Sequence, residues 1–165
     1  MNADEQAARG LSPDEPSARE SSSGESAPEP LTPDELARLR EIFAQVPYVR
    51  LLGLEFVSAE RGTAAFAMEV REELTRMGGI LHGGAVVSLL DTAAAFAVHT
   101  LIEPSASTVT VDLTVHFLRP ASAGRVEARA RVLRQGRRVS ILSVEAEDAA
   151  GTLIATATMT YYVQA

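Results

Sequence analysis

Gly78-Gly79-Ile80-Leu81-His82-Gly83-Gly84 runs directly into an apolar segment, residues 85–102, that carries a single acid, Asp91. A glycine-rich loop opening onto a helix leaves backbone N–H groups unpaired at the positive end of the helix dipole. A lone carboxylate two to three turns along such a helix is unusual in a core unless it is paired or has work to do. An anion-stabilising loop followed by a buried acid is the outline of a hydrolytic site for a carbonyl substrate.

The segment is nearly as long as a membrane span. Asp91 lies near its centre, and Ser88, Thr92 and His99 interrupt it further. A mid-span Asp costs roughly 2.5–3.5 kcal/mol on insertion scales, so a helix wrapped by protein is the expected form.

Outward from this helix the chain reads as strands. Residues 54–59 and 63–70 read as two strands around the turn Glu60-Arg61-Gly62. Residues 108–118 alternate cleanly, with Val109, Val111, Leu113, Val115 and Phe117 on one face. Thr108, Thr110, Asp112, Thr114 and His116 take the other, so alternation places Thr110 on the polar face. Residues 125–133, 139–147 and 152–163 complete the set, joined by turns at Gln135-Gly136-Arg137 and Ala150-Gly151. Upstream, Thr32 caps a helix, Pro33 takes its first position, and Pro47 ends it. The pattern predicts an α+β domain over 31–165, an antiparallel sheet of five to six strands curled around one long central helix. Residues 1–30, rich in Ser, Pro and Glu, are expected to form a disordered acidic tail. Ala93, Ala94, Ala95 and Ala97 make a small-residue surface on the helix, suited to close approach of the sheet or of a second copy.

Composition narrows the chemistry. The formal net charge is −7, and most of it falls in the first thirty residues, where seven acids face Arg9 and Arg19. Nucleic-acid binding is not expected from that balance. The chain has no cysteine, which removes thiol nucleophiles and thiolate metal sites, and all 15 basic residues are arginine. A lysine Schiff base and a phosphate-loop lysine are therefore excluded. The 3 histidines lack metal-ligand spacing, so no metal is expected. No Gly-x-Ser-x-Gly elbow or dinucleotide fingerprint occurs. No secretory leader is read at the N-terminus, and the expected compartment is the cytoplasm.

Taken together, Gly79-Ile80-Leu81-His82-Gly83-Gly84, Leu89-Leu90-Asp91-Thr92, Val109-Thr110-Val111-Asp112-Leu113, Phe117-Leu118-Arg119-Pro120-Ala121 and Arg134-Gln135-Gly136-Arg137 resemble the hot-dog-fold thioesterases. The likeness is to the PaaI-like and 4-hydroxybenzoyl-CoA thioesterase group and covers about residues 46–163. The resemblance implies a hot-dog fold, a homo-oligomer (dimer or tetramer) with sites at the dimer interface, and metal-free, cofactor-free hydrolysis of acyl-CoA. It implies Asp91 as nucleophile or general base, Gly83 as a backbone donor to the thioester oxygen, and His82 as a residue that shapes the loop. Thr110 matches a hydroxyl that helps hold the water or the acid. Many members carry Asn or Gln six residues before the histidine, where this chain has Arg76.

Read from the residues, the N–H of Gly83 or Gly84 supplies the oxyanion donor and Asp91 the attacker or base. Plainer readings stand beside these: a tight loop for the glycines, and a paired structural acid for Asp91, with Arg76 or a threonine as partner. Thr110 is equally suited to an ordinary hydroxyl. Arg134, Arg137 and Arg138 at the Gly136 turn suit the phosphates of CoA, or else a solvated hairpin. Three functions follow: an acyl-CoA thioesterase, a non-catalytic acyl-CoA-binding module on the same fold, and, less favoured, a hot-dog dehydratase.

Overall fold

The computed structural model describes residues 29–164. The expected tail, 1–30, lies outside them apart from Glu29 and Pro30. In chain order the elements are α1 (Pro33–Gln45), α2 (Pro47–Leu52), β1 (Glu55–Glu60), β2 (Thr63–Glu69), β3 (Thr75–Arg76), β4 (Ile80–Leu81), α3 (Gly83–His99), β5 (Ser107–Phe117), β6 (Arg125–Gln135), β7 (Val139–Asp148) and β8 (Leu153–Gln164). Six of the strands form one antiparallel sheet in the order β1-β2-β6-β7-β8-β5.

The sheet curls around α3, as in the hot-dog fold. The helix buries Leu89, Leu90, Ala93, Ala94, Phe96, Ala97 and Val98. Facing it are Phe66 and Met68 of β2, Val126, Ala128 and Ala130 of β6, and Leu142 and Val144 of β7, all buried. Alanines on both sides let the helix backbone come close to the middle strands, and the larger side chains fill the flanks. The small-residue surface of α3 therefore meets its own sheet, with Ala95 left half-buried. Phe43, Phe56, Phe66 and Phe96 form an aromatic cluster with ring centroids 5.0–6.3 Å apart, tying α1 and β1 to the later half of α3.

Thr32 caps α1 as its sequence implies: its Oγ1 accepts from Glu35 N, and Glu35 Oε2 accepts from Thr32 N. Pro47 ends α1 and at once opens α2, a short helix that the breaker reading does not anticipate. At the β6–β7 turn, a Cβ on Gly136 would meet Val139 O at 2.8 Å, so only glycine fits.

One expectation is overturned at β5. Its pairing with β8 slips between Thr110 and Asp112. This bulge takes Val111 out of the ladder and reverses the alternation that follows. Thr108 and Thr110 stand opposite the buried Val163 and Tyr161, while Leu113, Val115 and Phe117 stand opposite the inward Met159, Ala157 and Ala155. The apolar residues of β5 therefore do not share one face, and Thr110 points to the helix. Val109 and Val111 are left exposed, at 50% and 61%.

The far end of α3 is fastened by arginines. Arg38 reaches His99 O at 3.4 Å, and Arg61 bonds Thr100 O at 3.0 Å and Glu35 at 2.7 Å. Among the described residues, no helix is long and apolar enough to cross a membrane.

His99 is packed against Phe96 with Nδ1 buried and without a partner. Burial, and then the charge of Arg38, hold its pKa below the usual histidine value of 6.5. A folded state that disfavours the proton keeps this stability above pH 6.5 and loses it as pH falls towards the lowered value. The urea midpoint is expected to drop between pH 7 and pH 5, and to drop less in His99→Gln. Glu35 and Asp148, whose pKa values are lowered from 4.5 and 3.8 mainly by hydrogen bonds, act only in a more acid window.

Candidate active site

The site is built at the start of α3. Gly78 and Gly79 take left-handed φ values of 90° and 70°, which turn β3 back onto β4. The returning strand is held by main-chain bonds from Leu81 N to Ala121 O and from His82 N to Leu74 O, both 2.8 Å. The chain arrives at His82 in an extended conformation and enters the helix at Gly83.

His82 is the N-cap. Its Nδ1 accepts from Gly84 N at 2.9 Å. An imidazole that accepts at Nδ1 carries its proton on Nε2. The ring thus caps the helix and ties the end of the loop to its first turn. A Cβ on Gly84 would sit 3.0 Å from that nitrogen, so glycine makes room for the cap. This corrects the reading of Gly84 as an alternative donor: its N–H is already used. Gly83 N–H has no hydrogen bond within the described residues. As the first residue of the helix it has no intrahelical acceptor either.

Gly83 opens into a cavity of about 370 Å³ lined in part by Arg76, Leu81, Phe117, Arg119 and Ile154. The Phe117 ring lies 3.2 Å from where a Gly83 Cβ would be. Arg76 lies in this lining; among the described residues its guanidinium bonds Met77 O at 3.3 Å and is not paired with Asp91.

Asp91 sits two turns further along α3, half-buried. Thr110 Oγ1 donates to its Oδ1 at 2.9 Å, and the single proton of Tyr161 OH is shared between the same oxygen at 2.5 Å and Asp91 O at 2.8 Å. No described residue bonds Oδ2. The phenol is 1% exposed, and burial and then the charge of Asp91 push its pKa well above the ordinary tyrosine value, so it remains a donor. Sequence reasoning names Thr110 but misses Tyr161. Its signal is the inward register of β8, in which a tyrosine hydroxyl buried in a core needs a polar partner. Ser88, one turn before Asp91, donates to Gly84 O and meets Tyr48 OH at 2.9 Å.

Gly83 and Asp91 are eight residues apart on one helix, about 12 Å along its axis. Asp91 does not line the Gly83 cavity. Arg137 and Arg138 line a different cavity, of about 560 Å³, near Ser107 at the start of β5. Gly83 adjoins Phe117 at the other end of that strand. Within one chain the structure therefore brings Asp91, Thr110 and Tyr161 together and leaves Gly83 with Arg76 apart. Arg134 is exposed on β6 and lines neither cavity. Among the described residues no cluster of His, Asp or Glu is arranged to hold a metal.

The thioesterase superfamily model matches residues 78–155, from the glycine loop to β8. A medium/long-chain acyl-CoA thioesterase, YigI, of Salmonella typhimurium is 35% identical over 136 residues, spanning 72% of this chain and 86% of that protein. Human acyl-coenzyme A thioesterase 13 is 36% identical over 66% of this chain and 79% of its own. The chain belongs to the thioesterase superfamily. A thioesterase family protein from Silicibacter pomeroyi has a crystal structure that superposes with a TM-score of 0.75 at 32% identity, covering 78% of this chain and 97% of that one. This thioesterase is thus a thioester hydrolase on a hot-dog scaffold, and its matched segment contains the His82 cap, Gly83, Asp91 and Thr110.

His82→Ala is expected to lower unfolding stability by about 1 kcal/mol, since Gly84 N–H loses its acceptor. His82→Asn, with a good capping oxygen, should recover most of the loss in the same denaturant titration.

Proposed function

We propose that this thioesterase hydrolyses acyl-CoA to a carboxylic acid and free CoA at a site shared by two protomers. The unpartnered Gly83 N–H at the head of α3 carries the reading. A donor at a helix N-terminus inside a concave, mostly apolar lining is placed to hold the negative charge that grows on a thioester oxygen. The acyl-CoA class follows the names of the relatives.

Asp91 supplies the other half. It takes a proton from an attacking water, or itself attacks the thioester carbon. The tetrahedral intermediate then collapses and expels the CoA thiolate, which leaves readily; where Asp91 itself attacks, water then hydrolyses the acyl-aspartate anhydride, releasing the carboxylic acid and the free carboxylate of Asp91. Oδ2 is the oxygen free to act. Thr110 holds Asp91 and does not itself touch the reacting carbon.

The two halves meet through β5. This strand is an open edge of 11 residues with exposed Val109, Val111 and Phe117, the last at 57%. Long apolar edges pair with other strands, and a two-fold pairing of identical edges is antiparallel. Pairing centred near Leu113 sets Thr110 of one copy, with Asp91 attached, opposite His116–Phe117 of the other, where Gly83 lies. Thr110 and Phe117 face the same side of the sheet, so both groups open on one face. The same pairing brings Arg137 and Arg138 towards the neighbouring Gly83 cavity, where they and Arg134 suit CoA phosphates. The proposed assembly is a homodimer or a tetramer of such dimers, in the cytoplasm.

A second reading, an acyl-CoA-binding module without turnover, is favoured by one observation: Arg76 lines the cavity where many relatives of the fold carry Asn or Gln. Calorimetric binding of an acyl-CoA panel with no thiol release from any member would support it.

Thiol release from that panel tests the main reading. Asp91→Asn and Asp91→Ala are expected to lose nearly all activity, and wild-type rates in either would refute the assignment. At Gly83, proline removes the N–H at a helix position that tolerates it. Gly83→Pro is expected to fall roughly 100-fold below Gly83→Ala in kcat/KM. The alanine variant absorbs the effect of a Cβ beside Phe117.

A further inference from the structure

We infer that Tyr161 is a positioning residue for the hydrolysis, one that acts through Asp91 by occupying Oδ1 and leaving Oδ2 as the only oxygen turned to the substrate. The inference rests on the proposed role of Asp91 and deepens it.

Three distances carry the geometry. Tyr161 OH lies 2.5 Å from Asp91 Oδ1 and 2.8 Å from Asp91 O, and Thr110 Oγ1 lies 2.9 Å from the same Oδ1. The phenol thus bonds both the side chain and the main chain of one residue. A carboxylate on a helix can rotate about two torsions, and a single hydroxyl leaves it free to swing about that contact. Two donors on one oxygen, from two neighbouring strands, restrict that swing. Thr110 comes from edge strand β5 and Tyr161 from the adjoining β8, paired directly across the ladder.

The two hydroxyls are not equivalent. Thr110 lies at the bulge of an edge strand. Tyr161 lies on an interior strand, its side chain 1% exposed and its ring in the main core. It therefore provides the rigid contact, and Thr110 completes it. A buried phenol also has no water to bond if its partner moves, which favours the arrangement in which the carboxylate stays. The chemistry asks for that constraint: a base or nucleophile misplaced by about 1 Å loses on the order of 100-fold in rate. Tyr161 touches neither substrate nor reacting atoms, so its effect belongs to the chemical step and not to binding.

The test is steady-state acyl-CoA hydrolysis by the full-length protein, with Tyr161→Phe beside Asp91→Asn and the double variant. Tyr161→Phe is expected to lower kcat roughly 10- to 100-fold, the range for loss of a hydrogen bond to a charged group, with KM within about twofold of wild type. In the Asp91→Asn background the same change should have no further effect on the residual rate. Replacing Tyr161 with 4-aminophenylalanine, which restores a donor, should recover most of kcat. If Tyr161→Phe does not fold, 4-fluorophenylalanine at 161 fills the hydroxyl volume without donating, and the same loss is expected. Wild-type kcat in the folded Phe or fluoro variant, a loss expressed mainly in KM, or full additivity with Asp91→Asn would overturn the inference. An Asp91→Asn variant with wild-type activity would instead overturn the assignment of Asp91, so the two failures are distinguishable.

Discussion

One carboxylate oxygen, held by hydroxyls from two strands, sets the geometry on which the rest of this site depends. Asp91 is the only charged acid on a mostly apolar helix whose buried residues are alanine, valine, leucine and phenylalanine. An unpaired acid there is costly to desolvate. Thr110 and Tyr161 offset that penalty and at the same time fix which oxygen remains free. Under the proposed role of Asp91, stability and reactivity ask for the same arrangement. The β5 bulge makes it possible, because a regular strand over these residues could not point both Thr110 and Leu113 to the helix. In the proposed site, the irregularity next to Asp91 is what aims Thr110 at the carboxylate.

The head of the helix shows a division of labour between adjacent glycines. Gly84 gives its N–H to the His82 cap, and its missing side chain makes room for that ring. Gly83 keeps its N–H free, and its missing side chain makes room for Phe117. One amide stabilises the fold and the next is available for chemistry. The β3–β4 hairpin and the bond from Leu81 to Ala121 hold both in place, which gives the Arg119-Pro120-Ala121 segment a structural meaning.

Much of this was legible in the sequence because it rests on short-range rules. The Thr32 cap, the Pro47 stop, the long α3, the glycine turn at Gly136 and the succession of six strands along the chain all follow from local chemistry and periodicity. The hot-dog resemblance rests on motifs at the head and the middle of α3, on β5 and the segment after it, and at the β6–β7 turn. What escaped was long-range. The bulge at Val111 has no composition signal, so strict alternation placed Thr110 on the wrong face. Tyr161 reads as one more inward residue of β8 until the helix is packed against it. The choice between Gly83 and Gly84 depends on where the His82 ring turns. Arg134, Arg137 and Arg138 sit beside a good turn signal, yet only the three-dimensional path of β5 shows how far they stand from Gly83 within one chain.

In the proposed assembly the oxyanion donor and the acid of each working site come from different copies of the chain. Subunit complementation tests it directly. Asp91→Asn and Gly83→Pro proteins, each inactive alone, are unfolded together, refolded at equal concentration and assayed for thiol release. A shared site gives each mixed dimer one intact pairing, so random reassociation should return about a quarter of wild-type activity. A mixture as inactive as its two parents, with mixed dimers verified by mass, would contradict the account.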